Sequence, residues 1–157
     1  MIRKKRFTNL TLIGMPASGK TTIGKKIAKE LGYKFIDIDK QIERKFGLKL
    51  YQIIDKLGEK QFLREEENKI LKLGKINNRV IAPGGSVIYQ PKAMKFIKKN
   101  SLVIFLDVPF NLIKKQIGNP VRRGVIGAEA KSLKEIYNER LPLYKKYADL
   151  TVCFKRH

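Results

Sequence analysis

Gly14-Met15-Pro16-Ala17-Ser18-Gly19-Lys20-Thr21 fits the spacing G-x-x-x-x-G-K-[ST] and sits between the apolar run Leu10-Thr11-Leu12-Ile13 and a helical pattern. Those residue types support one chemistry, the clamping of a polyphosphate. Glycines let the backbone turn tightly so that successive N–H groups face phosphate oxygens, and the N-terminus of the following helix adds a favourable dipole. Lys20 supplies a mobile cation for the β- and γ-phosphates, and Thr21 a hydroxyl ligand for Mg²⁺. The candidate nucleotide-contacting set is Gly14, Pro16, Ala17, Ser18, Gly19, Lys20, Thr21 and the adjoining Thr22. Asp37 and Asp39 close the second apolar run at alternate positions, which on a strand would aim both to one side. Phosphoryl transfer needs a carboxylate to order the Mg²⁺ shell and a group that orients the attacking hydroxyl, and this pair can fill both roles. The competing reading of Asp39 is a helix N-cap, because a helical pattern follows over Lys40 to Phe46.

The elements that must carry these residues are legible as apolar, β-branched runs separated by helical patterns. The runs are Thr8 to Ile13, Lys34 to Ile38, Arg79 to Ala82, Leu102 to Val108 and Leu150 to Phe154. Such an alternation predicts an α/β protein with a five-stranded parallel sheet covered on both faces. A helix over Lys20 to Leu31 places Ile23, Ile27, Ala28 and Leu31 on one stripe and stops at Gly32. Short helical pieces follow after Asp39 and over Tyr51 to Leu57, then a long one from Glu59 to about Lys75, ended by Asn77-Asn78. Lying between two strands, they read as a helical insertion over about 40–77. Pro83-Gly84-Gly85-Ser86 follows the third strand at its carboxyl end, where open α/β sheets bind ligands; an ordinary glycine loop is the plainer alternative. Pro109 opens a further helix to about Ile117. The segment 118–130 has three glycines, a proline and two arginines and no periodicity, as a mobile lid would.

A chain of 157 residues, 43% hydrophobic, makes one domain with a real core. No apolar stretch reaches the roughly 20 residues of a membrane span, and the basic start Met1 to Arg6 leads into a strand rather than a secretory segment, so a cytoplasmic protein is expected. Cys153 is the single cysteine, without a disulfide or metal-site companion. The net charge of +21 raises a nucleic-acid partner. However, 26 lysines against 9 arginines are scattered over every helical segment with few aromatics between them. That is read as a solvated basic surface that attracts polyanionic nucleotides, not as a nucleic-acid platform. A monomer without membrane contact is expected.

Taken in order, the phosphate loop, Phe35-Ile36-Asp37-Ile38-Asp39, Gly58-Glu59 followed by Phe62 and Glu66, Gly84-Gly85, the arginine-bearing segment and Arg140-Leu141-Pro142-Leu143-Tyr144 resemble the shikimate kinase family. The resemblance runs from about Asn9 to Val152. It implies a three-layer P-loop kinase fold and transfer of the ATP γ-phosphate to a hydroxyl of a small cyclic hydroxy acid. It also implies Asp37 near Mg²⁺, Asp39 as binder of substrate hydroxyls and base, Gly84 and Gly85 with their backbone against the substrate, and Arg140 on its carboxylate. The lid arginine is Arg122 in an ungapped reading and Arg123 after a one-residue shift.

Two departures stand out. The family pattern has a carboxylate-binding arginine directly after the Phe of Gly-Glu-x-x-Phe, and here that position is Leu63. Arg64 next to it points about 100° away on a helix. Losing a bidentate cation removes charge-assisted hydrogen bonds, so shikimate is expected to bind weakly or to give way to another polyol or hydroxy acid. The second is the end of the chain at Lys155-Arg156-His157, where the family usually continues into an adenine-contacting loop and helix. Either the covering helix is absent or the base is held less closely, with Lys115 near the lid as the candidate contact, and His157 is given no catalytic part. The alternatives are a nucleotide kinase of the same fold and a non-catalytic ATP- or nucleic-acid-binding module.

Overall fold

The computed structural model describes residues 7–154, so Met1 to Arg6 and Lys155 to His157 lie outside the described residues. Five parallel strands form one sheet in the order β2-β3-β1-β4-β5, with β1 at Leu10–Ile13, β2 at Lys34–Asp37, β3 at Arg79–Ala82, β4 at Leu102–Asp107 and β5 at Leu150–Cys153. The central strands are apolar on both sides because helices cover both. On one face, α1 (Lys20–Leu31) sets Ile23, Ile27 and Ala28 against Leu12, Val80 and Leu106. Gly24 lets that helix settle onto the sheet; a Cβ there would stand 2.5 Å from the Phe35 ring.

The other face carries the larger core. Ile13, Ile81, Val103 and Phe105 of the sheet meet Ile38 and Ile42 of α2 (Ile38–Phe46), Ile53 of α3 (Leu50–Leu57), and Phe62 and Ile70 of α4 (Glu59–Leu71). Met94 and Ile97 of α5 (Pro91–Asn100), Ile113 of α6 (Phe110–Ile117), and Ile136 and Tyr144 of α7 (Leu133–Tyr147) complete it. Strand β1 lies between β3 and β4, so the connections leaving β1 and β3 diverge at the carboxyl ends of the strands. A crevice at that end is the standing ligand position of such sheets. Asn9 ties the opposite end, donating to the Ile76 and Asn100 carbonyls (both 2.9 Å) and accepting from Arg79 N–H (3.0 Å).

Three expectations change. Asp39 does not end a strand and does not cap a helix: the cap is Asp37, whose carboxylate accepts from Lys40 N–H at 3.1 Å, so the helix begins at Ile38 and Asp39 lies in its first turn. The long helix of the insertion ends at Leu71, short of Lys75, and Gly74 follows with a positive φ. Helix α5 was not anticipated, although Pro91 at its first turn and the stripe Ala93, Met94, Ile97 are its signature.

Candidate active site

The phosphate loop joins β1 to α1 through a left-handed turn. Gly19, which precedes the helix, has φ 93°, and Ala17 has φ 64°, a conformation that a side chain makes costly and that the surrounding loop must impose. Ser18 N–H closes the turn on the Met15 carbonyl at 3.1 Å. Lys20 folds back over the loop, its Nζ donating to the carbonyls of Gly14 (2.8 Å) and Met15 (2.9 Å). Burial lowers the Lys20 ammonium to about 8, against the opposing attraction of Asp39. A phosphate arriving beside it supplies the negative charge that burial leaves wanting.

Thr21 Oγ1 donates to Asp37 Oδ2 at 3.1 Å, which sets a hydroxyl and a carboxylate side by side at the rim. These are hard oxygen donors of the kind Mg²⁺ takes, one or two protein ligands with phosphates and water completing the shell. No cluster of three or more His, Cys, Asp or Glu ligands occurs among the described residues. Asp39 enters the same space from α2, its Oδ1 buried without a partner. Burial raises its carboxyl to about 6, while Lys20 opposes the shift.

One cavity of about 570 Å³ joins these groups to the acceptor half. Its wall includes Pro16, Ala17, Gly19, Lys20, Thr21, Thr22, Asp37, Asp39, Gly84, Gly85 and Arg140, and both Arg122 and Arg123 reach it from segment 118–130. Gly14 and Ser18 lie beneath the loop rather than on the wall, with Ser18 Oγ 3.1 Å from where a Gly14 Cβ would be. Lys115 does not line the cavity: it is exposed on α6, and Gln116 next to it takes the position at the wall. Successive helix residues diverge by about 100°, which is enough to turn Lys115 outward.

The acceptor half is tight and short of partners. A Cβ on Gly84 would collide with Glu66 Oε2 and come 2.8 Å from Asp39 Oδ1; one on Gly85 would come 2.8 Å from Pro16 and 3.1 Å from Arg140 Nη1. Arg140 is 1% exposed. Its Nη2 donates to the Ile126 carbonyl of segment 118–130 at 3.0 Å, its guanidinium lies 5.4 Å from the Tyr89 ring centre, and its Nε has no partner. No carboxylate pairs with it among the described residues. A buried cation without a counter-charge is costly, so this one is poised for an anionic ligand. Tyr144, one turn further along α7, donates to the Gly85 carbonyl at 2.6 Å and stacks on Phe105 with ring centres 5.1 Å apart. It fixes the glycine turn against the sheet, and burial pushes its phenol up to about 12, so it remains a donor.

Several wall residues carried no assigned role: Glu66, Glu43, Lys40, Lys49 and Gln116. Glu66 had a legible signal. With Phe62 and Ile70 it forms the buried stripe of α4, so an acid occupies a position where the helical period demands an apolar side chain. Leu63 is partly exposed and off the cavity wall, and Arg64 is exposed. On a helix, position 63 lies one turn before Glu66, on the same side.

Comparison with known proteins places this geometry in company. A family model described as shikimate kinase matches residues 16–157. The chain is 35% identical over 146 residues to a shikimate kinase of Caldanaerobacter subterraneus, covering 92% of this chain and 85% of that one. With a shikimate kinase of Clostridium botulinum the identity is 37% over 152 residues, 95% and 89% of the two chains. Among solved structures, a shikimate kinase from Acinetobacter baumannii in complex with shikimate superposes with a TM-score of 0.85 at 31% identity, over 98% of this chain and 87% of that one. A shikimate kinase from Aquifex aeolicus gives 0.81 at 29% identity over 95% and 88%.

Proposed function

The chain belongs to the shikimate kinase family, and on that premise we propose that its acceptor is shikimate, with Arg140 on the carboxylate and Asp39 on the hydroxyl that is phosphorylated. The protein is an ATP- and Mg²⁺-dependent phosphotransferase that moves the γ-phosphate of ATP to a hydroxyl of a small hydroxylated acid. The observation that carries the acceptor reading is Arg140, a buried guanidinium without a carboxylate partner, in the cavity that also holds the phosphate loop. A small acid satisfies it, whereas a nucleobase leaves it unpaired.

In this reading the site works by position and charge. The loop of residues 14–21 holds the β- and γ-phosphates, and Lys20 leaves its two carbonyls to neutralise charge on the transferred group. Thr21 and Asp37 would hold Mg²⁺, which screens the phosphate charge. Asp39 orients the attacking hydroxyl and accepts its proton. Arg122 and Arg123 both stand where a lid cation would meet phosphate and acceptor together. Residues 7–154 act as a single kinase domain with an acceptor-side helical insertion, and the protein works as a monomer.

A coupled ADP-release assay tests the acceptor, with shikimate, gluconate, homoserine and nucleoside monophosphates offered against a no-acceptor control. Shikimate is expected to raise ADP release well above the control. A larger kcat/KM for any of the others would replace it as the acceptor.

A further inference from the structure

Among the described residues, the buried side-chain polar atoms left without a partner are not scattered. Apart from Ser18 Oγ, they are Asp39 Oδ1, Glu66 Oε2, Gln90 Oε1 and Arg140 Nε, all gathered around the acceptor half of the cavity. Such groups cost free energy unless a ligand completes them. Asp39 and Arg140 already have roles toward a hydroxyl and a carboxylate. Glu66 has none. It is 0% exposed, it lines the cavity, and its Oε1 already accepts from Gln90 Nε2 at 2.7 Å, which leaves Oε2 free over Gly84 next to Asp39 Oδ1.

We propose that Glu66 is an acceptor-binding residue: its carboxyl group stays neutral and donates a hydrogen bond from Oε2 to a hydroxyl oxygen of the bound acid, beside the hydroxyl that Asp39 orients. This deepens the acceptor reading given above and rests on it. An ionised Glu66 would be a bare acceptor near a second acceptor, Asp39 Oδ1, and burial beside a neighbouring carboxylate disfavours a second negative charge. A donor and an acceptor side by side, in contrast, match two neighbouring hydroxyls of one ligand, each of which can give one hydrogen bond and take another. The charged and titratable groups acting on Glu66 are Asp39 from α2, Lys20 from α1, and Arg140 and Tyr144 from α7, with the neutral Gln90 amide ahead of α5. Burial is the largest influence and Asp39 the next, and together they raise the carboxyl to about 8, with the Gln90 bond and the two cations opposing. Position 63, where a cation on α4 would neutralise an ionised Glu66, is Leu.

The test uses the full chain with shikimate as acceptor and compares Glu66→Gln, which keeps a donor and cannot ionise, with Glu66→Met, which keeps volume and has no donor. At pH 7 the Gln variant should hold shikimate KM within about threefold of wild type, and the Met variant should raise it at least about tenfold, with KM for ATP unchanged in both. Above about pH 8 wild-type KM for shikimate should climb roughly tenfold per pH unit while that of Glu66→Gln does not, a difference that isolates Glu66 from the titration of Lys20. An equal loss in Gln and Met, an unchanged KM in Met, or wild-type and Gln profiles that coincide through pH 9 would overturn the proposal. Should Glu66→Met fail to fold, the pH profile of Glu66→Gln decides. Failure of the acceptor reading is visible separately, as no turnover of shikimate by the wild type. The proton is then read in the ligand-free protein by carbon-13 NMR of the Glu66 carboxyl: titration near pH 8 supports the neutral donor, and titration near the ordinary 4.5 overturns it.

Discussion

At the residue scale, the two decisive positions are Lys20 and Leu63. Lys20 rests on the Gly14 and Met15 carbonyls and must be released by phosphate, so its charge is preorganised at the mouth of the loop. Lys20→Ala is expected to fold and to lose about 10² to 10³ in kcat, the usual cost of removing one such charge; near-wild-type turnover in a folded variant would refute the role. Leu63→Arg places a guanidinium one turn from Glu66, at the position where the family pattern has its carboxylate-binding arginine. We expect KM for shikimate to fall by about tenfold to a hundredfold, the equivalent of roughly 1.5 to 3 kcal/mol for a charge-assisted hydrogen bond in a desolvated site. The same variant should lower the Glu66 pKa, since a facing cation favours the carboxylate. Should the unmodified protein already bind shikimate with a submillimolar KM and Leu63→Arg change nothing, another cation serves the carboxylate.

At the element scale, few side-chain bonds tie segment 118–130 to the rest of the molecule. Arg140 donates to Ile126, Glu59 accepts from Gly127 N–H at 2.9 Å, and Gly124 at φ 77° passes so near α3 that a Cβ would sit 2.7 Å from Leu50 Cβ. Only Val125 of segment 118–130 is buried. A segment with so little buried surface opens locally at small cost. Amide hydrogen exchange over 118–130 should therefore be fast in the free protein and slow when an ATP analogue and shikimate are bound together. Unchanged protection, with binding confirmed by calorimetry, would exclude closure of this segment.

At the scale of the whole molecule, the buried acid couples function to stability. Glu66 holds its proton in the folded state to about pH 8, whereas the unfolded chain releases it near the ordinary 4.5. Between those values the unfolded state binds fewer protons, so the Glu66 contribution to stability is present at low pH and lost as pH rises through the window. Thermal unfolding of Glu66→Gln should consequently gain on wild type as pH goes from about 5 to about 8.5; a constant difference in Tm would show that Glu66 titrates normally. The net charge of +21 belongs to the same scale, and if it draws polyanionic nucleotides to the surface, KM for ATP should rise with ionic strength. Among the described residues no helix is long and apolar enough to cross a membrane.

Local rules made much of this protein legible. The phosphate loop, α1 from Lys20 to Leu31 and β3 from Arg79 to Ala82 could be read from the sequence because glycine conformation, helical period and β-branched runs are short-range properties, and the parallel sheet followed from their alternation. The Gly-Gly turn and Arg140 were legible as parts of an ordered set of motifs. The tertiary structure alone decided what depends on residues distant in the chain: that Asp37 rather than Asp39 caps α2, that Lys115 turns away while Gln116 faces the cavity, and that Glu66 and Asp39 converge over Gly84. Whether a carboxyl group is buried beside a second one is a matter of packing between α2, α4 and the β3 turn. No window of sequence contains that packing, and the proton on Glu66 is governed by it, through burial first and the Asp39 charge second.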